Sequence, residues 1–419
     1  MHGWRERAAW RWDVIAVVAL VGWLGVDLVG RTVFGATPWP ESVVDYRILY
    51  DASRHVVATL EYPAGYPYPP PAVAFHAASA VFPFGVSAAL WLALTGLAAG
   101  ACYLTLARVL GLIARPGALV LLPLAHVVAV YYFQWDMRSV NSNLIVLAAV
   151  LFGCAALARE RDAAAGFWFA LAVALKVFPV LVLPYLGWTR RWKAFAWAGA
   201  FSLLLWLVVP AGLFGFDGVG GVYRGWANEL TRATDAATNV RHPILISLDK
   251  AALFVASGDA VVAKGIARGV AALWVLVGLA GAAACWGNRP RDGASILVHA
   301  SLLILGPVAV NPYLEAYHLV PVVVPAVVLL AVASEPGQRV RVRAVGAVGF
   351  VVGLAVVKVP NPWPLRGLLV NAQALVLCGT AVWVAWARLR VAKPLAASPA
   401  EPRGRLAGLM SRFAPRAKV

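Results

Sequence analysis

The sequence predicts an all-α, polytopic membrane bundle, and three observations carry that prediction. Hydrophobic residues make up 62% of the 419 positions and charged residues only 13%, about half the charged share of an ordinary soluble domain. The apolar residues run on in long stretches and do not alternate with period two, which leaves helices rather than a barrel as the spanning element. The stretches are joined mostly by short basic or mixed connectors. One bundle therefore accounts for a length that would otherwise suggest two or three soluble domains. That single domain is placed at 1–386, with a basic tail over 387–419 expected to be disordered.

About ten full spans are read along the chain, at 12–34, 85–107, 116–133, 140–158, 194–216, 266–286, 294–311, 314–333, 342–358 and 367–386. The first follows Arg5, Arg7 and Arg11. It is too long, and lacks the small-residue cleavage pattern, to read as a removable signal peptide. The stretch 163–188 is apolar but broken by Lys176 and Pro179. Two half-length helices turning near Lys176 would return the chain to the side it came from, whereas one span would invert everything downstream.

Charge decides between these alternatives. With the N-terminus inside and 163–188 as a hairpin, every inner connector is basic, and most of the 36 Lys and Arg lie on the inner side. The acids run the other way. The net charge of +17 is then an anchor to an anionic leaflet, and no compact basic domain remains to bind nucleic acid. Cys102, Cys154, Cys285 and Cys378 all fall inside apolar stretches and read as small apolar residues.

The outer side carries the polar information, in long connectors at 35–84 and 217–265 and a shorter one at 358–366. Residues 43–60 are expected to form a helix. Asp45, Ile48, Leu49, Ala52 and Val56 share one face, and Arg47, Asp51 and Arg54 share another as a solvated stripe of ion pairs. Asp51 is thereby explained. Asp45 heads the apolar stripe, where a carboxylate costs free energy unless it caps the helix or has a task. The following EYPAGYPYPPP segment sets Tyr62, Tyr66 and Tyr68 among prolines, giving either an interfacial aromatic belt or a stiff wall against a sugar or headgroup.

In the second connector Arg224, Arg232, Arg241, His242 and Lys250 could anchor to the interface or meet a lipid phosphate. The run NPYLEAYH ends at His318, one turn into an apolar helix, where a lone histidine reads first as a satisfied core residue and second as a site residue. Lys176 at the hairpin tip is a functional candidate, with snorkelling to the interface as the competing account. No Walker loop, HExxH pair or GxSxG elbow is present. Chemistry here would need a substrate that is already activated and lipid-borne.

Three segments in order resemble glycosyltransferase family 87, one of the GT-C membrane glycosyltransferases. They are DYRILYDASRHVV with GYPYPPP, then ALKVFPVLVLPYLGWTRRWK, then NPYLEAYH. The resemblance implies a polyprenyl-phosphate-mannose-dependent α-mannosyltransferase of glycolipid assembly, multi-pass in the cell membrane with its site facing outward. Its partners would be a polyprenyl-phosphate sugar donor, a glycolipid acceptor and the bilayer.

Asp45 matches the family's catalytic aspartate, Lys176 its hairpin lysine and His318 the second of a histidine pair. Two departures bear on acceptor and sugar rather than on reaction class. Gly-Gln-apolar-Asn is here Arg138-Ser139-Val140-Asn141, and the histidine pair is Tyr317-His318. Asp45 and His318 are thus the expected catalytic residues, with Lys176, Arg241, His242, Tyr68, Asn141 and Tyr317 around the substrate. Neither a cofactor nor a metal is expected, since no paired acids sit beside Asp45. A lipid or sugar transporter or flippase is the alternative class, although only one broken segment is visible where transporters usually repeat it. Transfer of arabinose or glucose is the alternative within the enzyme class.

Overall fold

The computed structural model describes residues 2–33, 44–237, 248–284, 292–309, 311, 314–335, 338–358 and 366–391. Within them the chain is helical throughout and no strand occurs. In order, the α-helices are α1 His2–Val33, α2 Val44–Thr59, α3 Pro70–Ala77, α4 Phe84–Val109, α5 Leu121–Ser139, α6 Asn143–Ala158, α7 Asp162–Leu175, α8 Val182–Trp188 and α9 Trp192–Leu203. They continue as α10 Val209–Phe214, α11 Phe216–Ala237, α12 Leu248–Val255, α13 Ala260–Ala284, α14 Gly293–Ala309, α15 Val323–Ala333, α16 Val340–Lys358 and α17 Arg366–Val391. A π-helical turn joins α9 to α10, and a 3₁₀ helix, Ala316–Val322, leads into α15. Among the described residues six helical stretches are long and apolar enough to cross a membrane, and α6, α7 and α14 are shorter apolar helices. This is the predicted polytopic bundle.

The hairpin reading of 163–188 holds. Lys176 ends α7 with extended backbone, φ −150° and ψ 138°, and a proline-containing 3₁₀ turn follows before α8. Gly166 packs directly on the backbone of Ala198, Phe167 meets Phe201, and Ala170 and Ala174 meet Leu205. Those pairs advance together, so α7 and α9 run parallel and the chain between them must return. It does so to the level of the α6 C-terminus, where the Arg191 guanidinium donates to the Leu157 carbonyl at 3.3 Å. Only a glycine admits this approach, since a Cβ on Gly166 would lie 2.6 Å from the Ala198 nitrogen.

Long helices pack through a buried core into which single polar pairs are set. Tyr132 donates to Gln373 at 2.5 Å, the Trp274 indole to Asn371 at 3.0 Å, and Tyr103 pairs with His126 at 2.6 Å. Such bonds fix which helix faces which, because lipid offers their polar atoms no alternative partner. Cys102, Cys154 and Cys378 are buried, as small apolar residues would be, and Cys285 lies outside the described residues.

One end of the bundle gathers Arg115, Arg191 and Arg343, each donating to a backbone carbonyl at or near a helix terminus. The other end carries α2, α3 and α11. There α2 is fixed by its aromatic face. The Tyr46 hydroxyl pairs with Ser79 and Ser87 at 2.9 and 2.6 Å, and Tyr50 donates to the Phe82 carbonyl at 2.8 Å. The buried face includes Leu49, Ala52 and Val56 as expected, but it is centred on Tyr46, Leu49, Ser53 and Val56. Ile48, expected inward, is 47% exposed. The stripe of ion pairs is also corrected. Arg47, Asp51 and Arg54 are exposed, yet Arg47 sits 4.1 Å over the Phe84 ring and Arg54 reaches the Tyr50 hydroxyl, contacts with aromatic rings that attract a guanidinium.

Candidate functional site

The site grows from one strained turn. Helix α5 ends in a left-handed residue, Val140, at φ 49°. Glycine normally takes this place, and a β-branched side chain there stores about 1–3 kcal/mol of backbone strain. The turn is closed by bonds from the amides of Val140 and Asn141 to the carbonyls of Met137 and Asp136. Its effect is to fold the start of α6 back beside the last turn of α5, so that Asp136, Asn141 and Asn143 point into one space.

Lys176 enters that space from the tip of the hairpin. It is 6% exposed, and its ammonium donates to Asn141 Oδ1 at 2.8 Å and to Asn143 Oδ1 at 2.7 Å. The amide orientations follow from chemistry, since lysine can only donate and a carboxylate can only accept. Asn143 therefore turns its Nδ2 to Asp136 Oδ1 at 2.7 Å, and Asn141 turns its Nδ2 to Asp45 Oδ2 at 3.3 Å. The outcome is a continuous line, Asp136–Asn143–Lys176–Asn141–Asp45. Asp136 is wholly buried, whereas Asp45, in the first turn of α2, is partly exposed.

Aromatic rings wall the lysine. Its nitrogen lies 5.1 Å from the Tyr68 ring centre and 5.8 Å from that of Tyr317. The Tyr-Pro segment is rigid here through its own bonds and through α11. Tyr62 donates to the carbonyls of Tyr66 and Tyr68, the Trp226 indole to Pro67 at 3.1 Å, and the Gly65 amide to Glu229 at 2.8 Å. Burial first, and then the nearby Asp45 charge, push the Tyr68 hydroxyl far above its ordinary value. It stays protonated and can only act as a neutral hydroxyl.

Glu315 and His318 complete the site from the segment before α15. The Glu315 amide donates to His318 Nδ1 at 3.1 Å. With Nδ1 accepting, the neutral ring carries its proton on Nε2, so His318 presents a donor rather than a base. Glu315 is buried, and with Asp136 and Asp45 it forms the set of carboxylates acting electrostatically on Lys176.

Of the residues expected from the sequence, Asp45, Asn141, Lys176, Tyr68 and Tyr317 come together, with His318 adjoining. Arg241 and His242 lie outside the described residues. Arg224 is exposed on α11, and Arg232 pairs with Glu229 at 3.1 Å. Sequence reasoning missed Asp136, Asn143 and Glu315. An acid among apolar residues is itself a signal, but the span expected at 116–133 stops three residues short of Asp136. His76 was missed as well. It is buried against Trp91, with ring centres 4.6 Å apart, and neither ring nitrogen has a hydrogen-bond partner among the described residues. Burial, followed by the Lys176 charge, lowers it to about 3, so it is neutral.

Fold and site together define a polytopic helical membrane protein with an amide-linked charged centre buried at one end of its bundle. The chain belongs to glycosyltransferase family 87, whose family model matches residues 66–310, more than half of its length. It is thus a membrane glycosyltransferase. Tyr68, Asp136, Asn141, Asn143 and Lys176 fall inside the matched segment, while Asp45, Glu315, Tyr317 and His318 flank it. No curated protein and no solved structure matches the chain.

Proposed function

We propose that the protein transfers a mannosyl residue from a polyprenyl phosphate to a glycolipid acceptor, by a single displacement with inversion. One observation carries this reading: a partly exposed carboxylate, Asp45, and a buried ammonium, Lys176, are joined through a single amide, Asn141. A glycosyl phosphate brings its own leaving group, so the protein need supply only a base for the acceptor hydroxyl and cations for the departing phosphate.

In the proposed step, Asp45 takes the proton as the acceptor oxygen bonds to the anomeric carbon. The bond from that carbon to the phosphate oxygen breaks at the same time, and polyprenyl phosphate leaves with the electron pair. Lys176 stabilises the charge that develops on it, and His318 Nε2–H donates to the sugar or the phosphate. A β-linked donor yields an α-glycoside.

The tyrosine wall has a specific expectation. The Tyr68 hydroxyl reaches Asn141 only at 3.5 Å, while its ring faces the lysine. Tyr68→Phe should therefore keep transfer within about threefold of the parent, and Tyr68→Ala should lose about tenfold or more, because the ring–cation contact is what matters. Steady-state rates for the pair decide this. Equal losses would show that the ring is not the working part.

The reading places the site end on the extracytoplasmic side, since the arginine-rich end is the one expected to face the cytoplasm. Asp51 is exposed at the site end. Asp51→Cys in intact cells should react with an impermeant maleimide, and labelling only after lysis would reverse the orientation. The donor is tested directly by offering mannosyl-, glucosyl- and arabinosyl-phosphoryl-polyprenol to the purified protein with a lipid extract as acceptor. Turnover with the mannosyl donor alone is expected, and turnover confined to another sugar overturns the mannose assignment.

A further inference from the structure

The line through the site is symmetrical in kind but not in exposure. Lys176 has a carboxylate one amide away on each side. On one side Asp45 is partly exposed, and on the other Asp136 is wholly buried. Neutral amide oxygens orient an ammonium but do not cancel its charge, and an uncompensated buried charge is strongly disfavoured. Asp45 cannot supply that compensation throughout the proposed cycle, because it takes up a proton. Asp136 can. It accepts from Asn143 Nδ2 at 2.7 Å and from the Leu144 amide at 3.1 Å, and its burial keeps substrate away.

We propose that Asp136 is a positioning residue, the standing counter-charge that holds Lys176 ionised and aimed through Asn143 while Asp45 does the chemistry. A simpler account must be separated from this one, since Asp136 also caps the first turn of α6 through Leu144. The two accounts differ in one respect. A cap stabilises α6 whether or not residue 176 carries a charge, whereas a counter-charge matters only when Lys176 is present.

The inference rests on the proposed site, so its test reads folding and function separately. Thermal unfolding of the full chain in detergent is measured for the parent, Asp136→Asn, Lys176→Met and the double variant. Asp136→Asn is expected to lower the midpoint clearly in the parent, and to change it little or raise it where methionine replaces the lysine. The same loss in both backgrounds would reduce Asp136 to a cap and overturn the proposal, whatever the protein's substrate is.

The functional arm is donor kinetics with mannosyl-phosphoryl-polyprenol. Asp136→Asn should raise the KM for donor about tenfold, as expected for a charge-assisted contact set out of place, and leave the KM for acceptor unchanged. The double variant should be no worse than Lys176→Met. Losses that multiply instead contradict the coupling. If no lipid-phosphate sugar is turned over at all, the proposed function fails while the unfolding cycle still decides the role of Asp136. Should Asp136→Asn not fold, Asn143→Leu cuts the same bridge and keeps the Asp136–Leu144 bond. It is expected to show the same dependence on Lys176.

Discussion

Asp45→Asn is expected to reduce transfer by about 10³-fold, within the range of roughly 10²–10⁴ that a positioned base supplies, while the protein folds as before. The geometry separates these two effects. Helix α2 is held by the Tyr46 and Tyr50 hydroxyls and by buried Leu49 and Val56, none of which involves the carboxylate. Asn141 Nδ2 can donate to an amide oxygen at position 45 as it does to the carboxylate. The shape of the site is then kept and only the proton acceptor is lost. Initial rates with purified protein measure the effect, alongside an unfolding midpoint within a few degrees of the parent. A variant that folds normally and keeps more than a tenth of its rate would remove Asp45 from the mechanism.

The second large effect is expected at Lys176. Lys176→Met keeps the length of the side chain and deletes its charge, and the loss should be about 10²–10³-fold, the scale of removing one preorganised donor from a developing oxyanion. The unfolding midpoint should fall, because Asp136 is left buried without its counter-charge, but the amide framework of the site is kept. Asn141 Oδ1 still accepts from the Ser142 amide at 2.7 Å and Asn143 Nδ2 at 3.2 Å, leaving Asn143 Oδ1 as the oxygen that loses its bond. Lys176→Arg should not restore activity. A planar guanidinium differs from an ammonium in shape and donor geometry, and the space between the Tyr68 and Tyr317 rings accepts a compact head. Rates for both variants, read with the KM for donor, test this. An arginine variant as active as the parent would show that any cation in this region suffices.

Much of the fold could be read from the sequence, because in a membrane the pattern of apolar length and basic connectors is the dominant constraint. The break at Lys176 was legible for the same reason, since the charge asymmetry permitted only a chain that returned. Helical phase singled out Asp45 over Asp51, and the structure puts Asp45 on the site network and Asp51 in solvent. The same phase argument misplaced Ile48, because the real face is set by Tyr46 and its partners on α4. Those partners are more than thirty positions away, and local spacing carries no information about them. Arg47 and Arg54 escaped for a like reason, since Phe84 and the Tyr50 ring outcompete a solvated carboxylate. Asp136 was hidden by a boundary. Helix α5 runs to Ser139, six residues beyond the expected span, and ends in the left-handed Val140 that aims both flanking polar groups inward. No local rule predicts that a valine takes a glycine's place there.

The central claim is that the Asp45–Asn141–Lys176 line transfers a sugar covalently from a lipid phosphate. The most direct measurement is the mass balance of one reaction, with donor, polyprenyl phosphate and glycosylated lipid quantified together by mass spectrometry. The account predicts one polyprenyl phosphate released for each sugar gained by the acceptor, with both products lost together in Asp45→Asn. Intact donor moving across a vesicle membrane with no polyprenyl phosphate released, or sugar transferred with its phosphate still attached, would contradict it.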